Sequence, residues 1–165
     1  MFLSNLFKFK EIFKKNLLLF ILVITIFSLD RLSKIEALKN LKDNNLFVND
    51  FLNFTLIWNT GIGFGLFSAE SNFFYNSITF IIGSVIIILS YMGIKANKYD
   101  KIIFSSIIGG AIGNFYDRIV FKAVPDFIDL HYENFHWFTF NVADIFITVG
   151  IIFYLIKGYL LDENT

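Results

Sequence analysis

Phe73–Ile94, FFYNSITFIIGSVIIILSYMGI, carries no charge from end to end and is long enough to cross a hydrocarbon core, which takes about 20 apolar residues. Three further stretches resemble it. The first, over 16–34, is uncharged from Asn16 to Leu29 and closes with Asp30, Arg31 and Lys34. Another, over 102–120, holds Asn114, Asp117 and Arg118 at its far end. The last, over 140–160, has Asn141 and Asp144 in its opening turns and stays uncharged until Lys157. With 56% hydrophobic residues, 23 phenylalanines and one proline in 165 residues, the chain is too apolar for an ordinary soluble domain. The expected fold class is all-α integral membrane, a four-transmembrane-helix bundle occupying 1–165 as one polytopic domain.

Lys8, Lys10, Lys14 and Lys15 precede the first apolar run, as in a cleavable signal peptide. A small-residue cleavage site is missing, however, and Asp30 and Arg31 stand where one would be needed. The run therefore reads as a retained span. Lysines before span one, and Lys95, Lys98 and Lys101 between spans two and three, place both segments and both termini on the cytoplasmic side. Alternating direction then brings Asp30/Lys34, Asn114/Asp117/Arg118 and Asn141/Asp144 to the outer leaflet. Such convergence predicts one site facing the bundle interior or a water-accessible cleft.

Helical spacing sharpens that site. Asp30 and Lys34 are four apart with the acid first, the favourable order for an ion pair on one face. Asn114 lies three and four residues before Asp117 and Arg118, and Asn141 lies three before Asp144, so each set shares a face. Interhelical hydrogen bonding is the competing role for these groups. Pro125 disfavours helix at Val124, which puts Asp126 on extended or turn backbone just beyond span three. Asp144 instead stands near a helix N-terminus, where the dipole favours negative charge. One carboxyl is thereby biased toward protonated and the other toward ionised. Such a pair, if it meets, can take a proton from water and protonate a scissile carbonyl oxygen, which is aspartyl proteolysis.

Other chemistries have thinner support. The absence of cysteine excludes thiol catalysis, disulfides and Cys-based metal sites. His131 and His136, five apart in an outer loop, make a poor metal site, no serine sits in a nucleophile elbow, and no cofactor is expected. Gly109, Gly110 and Gly113 fall inside span three, where small residues permit close helix packing. A small proton-coupled transporter is the alternative function, since intramembrane carboxylates also mark ion pathways. A pathway would spread polar groups through the membrane depth, whereas the inner halves of these spans hold almost none.

The outer connection, with its β-containing part over about 40–70, shows period-two alternation: Leu52, Phe54, Leu56 and Trp58 against Phe51, Asn53, Thr55 and Ile57. Trp137–Phe140 is a candidate partner strand for it. Phe64, Phe67, Trp58 and Trp137 read as an interfacial aromatic belt, and Gly61, Gly63 and Gly65 as a turn or mobile flap.

In these blocks the chain resembles the lipoprotein signal peptidases (signal peptidase II), bacterial membrane aspartyl proteases, over nearly its whole length. Asp30 with Lys34, Asn59-Thr60-Gly61 with Phe64, the run from Gly109 to Arg118, Val124-Pro125-Asp126-Phe127 and Phe140-Asn141-Val142-Ala143-Asp144 carry the resemblance. It implies Asp126 and Asp144 as catalytic residues, with Asp30, Lys34, Asn59, Gly61, Asn114, Arg118 and Asn141 supporting the site or positioning substrate. It also implies a fold of four transmembrane helices with a small extracytoplasmic β-cradle in the bacterial cytoplasmic (inner) membrane. The implied substrate is a diacylglyceryl-prolipoprotein cut just before its lipidated cysteine. Membrane lipid and that substrate are the expected partners of a monomer that binds no nucleic acid. Gly63, Gly65 and the absence of a proline before Phe140 depart from the family pattern.

Overall fold

The structure, a computed structural model, describes residues 10–42, 44–61, 72–133 and 135–162. Four long helices lie among these residues: α1 Leu17–Asn40, α2 Asn72–Lys95, α3 Lys98–Phe121 and α4 Val142–Asp162. Four strands, β1 Leu46–Asn49, β2 Leu52–Asn59, β3 Val124–Tyr132 and β4 Phe135–Phe140, form one antiparallel sheet in the order β1-β2-β3-β4. Helix α1 continues past Lys34 to Asn40, beyond the end expected of the first span.

Helix α3 is the hub, packing against α1, α2 and α4. Its start is fixed by Asn97, whose side chain accepts the N–H groups of Tyr99 and Asp100. Its end is set by Lys122 in the left-handed region at φ 58°, and Pro125 three residues later prevents the helix from resuming. Glycines let the neighbours approach. A Cβ on Gly110 would lie 2.5 Å from the Ala143 carbonyl oxygen of α4, and one on Gly109 would lie 2.8 Å from the Ile26 Cβ of α1. This is the close helix packing expected of the glycine run.

Burial in the helices is the reverse of a soluble domain's. Ile24, Phe80 and Ile87 are 63%, 76% and 72% exposed, whereas Asp30, Lys34, Asp117 and Asn141 are fully buried. Charged side chains are almost never fully buried in water-soluble folds unless paired, and an apolar exterior around polar contacts suits lipid as the solvent. Two helical stretches, Tyr75–Lys95 and Val142–Leu160, are long and apolar enough to cross a membrane. The apolar run of α1 closes instead with Asp30, Arg31 and Lys34, all three engaged in contacts within the protein.

The sheet is larger than the sequence suggested. The extended backbone expected at Asp126 is a full strand, β3, and it pairs with β2 through Trp58↔Pro125 and Asn59↔Val124. Trp137–Phe140 does not pair with the alternating segment; it belongs to β4, which pairs with β3. The reason is local: Glu133, at φ 52°, turns the chain back directly onto the strand it has just left. Pro125, which has no N–H to give a ladder, sits one residue into β3, and a register shift between Phe54 and Ile57 interrupts the pairing next to it. The flap expected around Gly63, Phe64, Gly65 and Phe67 lies outside the described residues.

Candidate active site

Asp126 leaves β3 and Asp144 leaves the first turn of α4, and Asn141 joins them. Its Nδ2 donates to Asp126 Oδ1 at 2.6 Å, while its Oδ1 accepts the Asp144 N–H at 3.1 Å. The Asn141 N–H in turn donates to Asp144 Oδ2 at 3.2 Å. Asn141 and Asp144 thus form a reciprocal capping box at the start of α4. The remaining oxygens are also held. Asp126 Oδ2 accepts from Asn59 Nδ2 at 2.9 Å, and Asp144 Oδ1 accepts from Asn114 Nδ2 at 2.8 Å.

Both aspartates line a cavity of about 180 Å³ whose walls include Asn59, Asn114, Arg118 and Asn141, with Ile82, Ala111, Val124 and Ile147 as apolar surface. A single water needs roughly 10–15 Å³ of such space, so a water and a peptide group fit together. Burial pushes the Asp126 carboxyl up to about 6, aided by the negative charge of Asp144 and opposed by the amides of Asn59 and Asn141. Desolvation disfavours the ionised form, and a neighbouring carboxylate disfavours it further.

Asn59 ends β2 and accepts the Gly61 N–H at 2.9 Å, which closes a tight turn. The Gly61 carbonyl accepts from Arg118 Nη2 at 3.1 Å, and the Asn114 carbonyl accepts from Arg118 Nη1 at 3.2 Å. Tyr75 of α2 donates its hydroxyl to the Arg118 carbonyl at 3.0 Å. Arg118 therefore ties α3 to the turn after β2. It does not pair with its neighbour Asp117, because successive residues on a helix leave it in different directions.

Asp117 faces α1 instead. Lys34 Nζ donates to Asp30 Oδ2 at 2.9 Å, Asn114 Oδ1 at 2.8 Å and Asp117 Oδ2 at 2.7 Å, so all three ammonium donors are used. Arg31 reaches Asp117 as well, at 2.7 and 3.0 Å, and lies 5.0 Å from the centre of the Tyr116 ring. Asp30 Oδ1 accepts the Ala143 N–H at 3.1 Å, satisfying one of the orphan donors in the first turn of α4. The Asp30–Lys34 pair expected from spacing is present, and it serves two purposes. The cluster links α1 to α3 as glue, and through Asn114 it reaches Asp144.

The structure brings together Asp30, Lys34, Asn59, Gly61, Asn114, Arg118, Asp126, Asn141 and Asp144, the residues singled out in the sequence. Sequence reasoning missed Arg31 and Tyr75. Arg31 had a readable signal, a cation beside Asp30 at the end of an apolar run, but an aromatic hydroxyl in an apolar span has none. His131 and His136 are cross-strand partners with rings stacked 5.3 Å apart, and His136 Nδ1 lies 2.7 Å from Asp129 Oδ2. No group of three or more His, Asp or Glu among the described residues is arranged to hold a metal ion.

An inside-out helical protein with two carboxyl groups held at a cavity that has room for a water and a peptide group has the layout of a membrane hydrolase. Two solved bacterial membrane enzymes, determined by the in meso method at 2.3 and 1.9 Å, have the same fold. The first superposes with a TM-score of 0.72 and 31% identity over 89% of each chain, the second with 0.68 and 30% over 84% of this chain and 90% of that one. A sequence model described as signal peptidase (SPase) II matches residues 22–160. The lipoprotein signal peptidase of Pelagibacter ubique is 49% identical over 87% of this chain and 88% of its own, and that of Anaplasma phagocytophilum 40% identical over 86% and 92%. The chain belongs to the signal peptidase II family and is a membrane-bound peptidase. The transporter alternative finds no support in these likenesses.

Proposed function

We propose that this chain is an aspartic endopeptidase that removes the signal peptide from diacylglyceryl-modified prolipoproteins, cutting before the lipidated cysteine. The observation that carries the reading is the Asn141 side chain, bonded at once to the Asp126 carboxyl and the Asp144 backbone. It holds two carboxyl groups at one cavity, in different electrostatic surroundings. Asp126, on strand backbone away from any helix terminus, is the acid; Asp144, at the positive end of α4, is the base.

The reaction then runs without a covalent intermediate. Asp144 takes a proton from a water in the cavity as the water oxygen attacks the scissile carbonyl carbon. Asp126 gives its proton to the carbonyl oxygen, forming a gem-diol. On collapse the diol returns a proton to Asp126, Asp144 protonates the leaving nitrogen, and the C–N bond breaks. The products are a signal peptide ending in a carboxyl group and a lipoprotein beginning with the lipidated cysteine. All four helices span the membrane in this reading, with both termini cytoplasmic, the sheet outside and the cavity near the outer leaflet. There the acyl chains of the substrate stay in lipid while its peptide bond reaches the carboxyl groups. The working unit is a monomer in the bacterial inner membrane.

The test is cleavage of a diacylglyceryl-modified prolipoprotein by the wild type, Asp126→Asn and Asp144→Asn in detergent or liposomes. Both variants are expected to lose turnover, and full activity in either sinks the proposal.

A further inference from the structure

Asp30, Arg31, Lys34 and Asp117 form a buried cluster with two charges of each sign. Besides the Asp30 contact to the Ala143 N–H, it reaches a dyad carboxyl through one side chain: Lys34 donates to Asn114 Oδ1 at 2.8 Å, and Asn114 Nδ2 donates to Asp144 Oδ1 at 2.8 Å. A primary amide has one acceptor end and one donor end. Lys34 on the oxygen therefore dictates that the nitrogen faces Asp144. Lys34 has three N–H groups for three acceptors, and Asp117, a carboxylate, competes with Asn114 for them. Arg31 meets much of that demand, lying 2.7 Å from Asp117 Oδ1 and 3.0 Å from Oδ2.

The geometry points to Arg31 as a positioning residue for the reaction: by neutralising Asp117 it leaves a Lys34 N–H for Asn114, and so fixes both the Asn114 amide and the charge balance felt by the dyad. The inference rests on the dyad reading above. Among the described residues, the charged and titratable groups around the dyad, besides its two carboxyls, are Asp30, Arg31 and Lys34 from α1, Tyr75 from α2, and Asp117 and Arg118 from α3. Removing the guanidinium leaves the four-residue cluster with one uncompensated negative charge. That charge is three hydrogen bonds from Asp144, through Lys34 and Asn114, a path on the order of 10 Å. At an effective dielectric of about 20 it holds the dyad proton to higher pH by on the order of one unit.

The experiment is the pH dependence of prolipoprotein cleavage by Arg31→Gln, Arg31→Lys and the wild type, with thermal unfolding followed alongside. Arg31→Gln is expected to move the pH profile about one unit alkaline and to lower kcat about tenfold with KM little changed, because Arg31 does not touch substrate. Arg31→Lys keeps the charge and is expected to keep the profile. An unmoved profile in Arg31→Gln leaves Arg31 as glue between α1 and α3 and overturns the inference, as does an equal shift in Arg31→Lys. If Arg31→Gln does not fold, the double variant R31Q/D117N removes both charges and is the second arm. Recovery of folding with the wild-type profile supports the inference, and failure to fold or a displaced profile overturns it. Activity retained by Asp126→Asn or Asp144→Asn would instead sink the dyad reading itself, so the two failures are distinguishable.

Discussion

Asn141 and Asp144 cap each other: the Asn141 Oδ1 accepts the Asp144 N–H at 3.1 Å and the Asp144 Oδ2 accepts the Asn141 N–H at 3.2 Å. Helix capping and carboxylate positioning are therefore one structure, and substitutions can separate them. Asn141→Ala is expected to cost about 0.5–2 kcal/mol of stability, the range for a lost N-cap, together with about 100-fold in turnover through misplacement of the pair. Asn141→Ser restores a capping oxygen but not the amide that reaches Asp126. Its unfolding temperature should approach the wild type while turnover stays low, as paired unfolding and cleavage assays would read.

The raised Asp126 carboxyl, at about 6, predicts the sign of two pH dependences. The acid role requires the proton, so kcat/KM of the free enzyme should decline as pH rises through about 6. The folded-state value exceeds the ordinary value of 3.8, so the folded protein binds this proton more tightly than the unfolded chain. The stabilisation from it is fully present below about 3.8 and is lost as pH rises through about 6, on the order of 3 kcal/mol in all. Asp126→Asn should abolish this part of the slope in unfolding curves recorded across that window. An unchanged slope would show that Asp126 does not titrate there.

Lys34→Met leaves the fully buried Asp30 and Asp117 with Arg31 as the one cation against them among the described residues. Breaking a buried ion pair from one side costs about 3–5 kcal/mol. Strong loss of thermal stability is expected, with turnover lost as well because Asn114 is no longer held from its oxygen end. A wild-type melting curve for this variant would show that the cluster does not stabilise the fold.

Glycine substitutions along α3 and α4 should divide sharply. A Cβ at Gly110 meets the Ala143 carbonyl oxygen at 2.5 Å, and one at Gly113 meets the Asp30 carboxylate. Gly110→Ala must push α4 away from α3, and Gly113→Ala must displace the Asp30 carboxylate from its bonds to Lys34 and Ala143, for about 1–3 kcal/mol each. Gly158 has nothing within 4 Å of its Cβ position, and Gly158→Ala should be neutral or stabilising by up to about 1 kcal/mol. Equal unfolding temperatures for all three variants would refute the close-approach reading.

The sequence by itself determined the apolar stretches, the placing of their charged residues at the ends of those stretches and the candidate dyad. These are properties of composition and of a fixed helical period, and Asp30 with Lys34, or Asn141 with Asp144, need only one element to meet. The strand at Asp126 was half legible, since Pro125 forbids helix there but cannot say which strand will pair. Tertiary structure decided the rest. That Asp117 faces Lys34 and Arg31 rather than Arg118, that β4 folds onto β3, and that Asn141 bridges two acids 18 residues apart in the chain (144 − 126) all depend on how separate elements turn toward one another. A local pattern fixes the direction of a side chain on its own helix or strand. Only packing fixes what stands opposite it, and in a low-dielectric interior the partner opposite decides whether a buried charge becomes glue, support or chemistry.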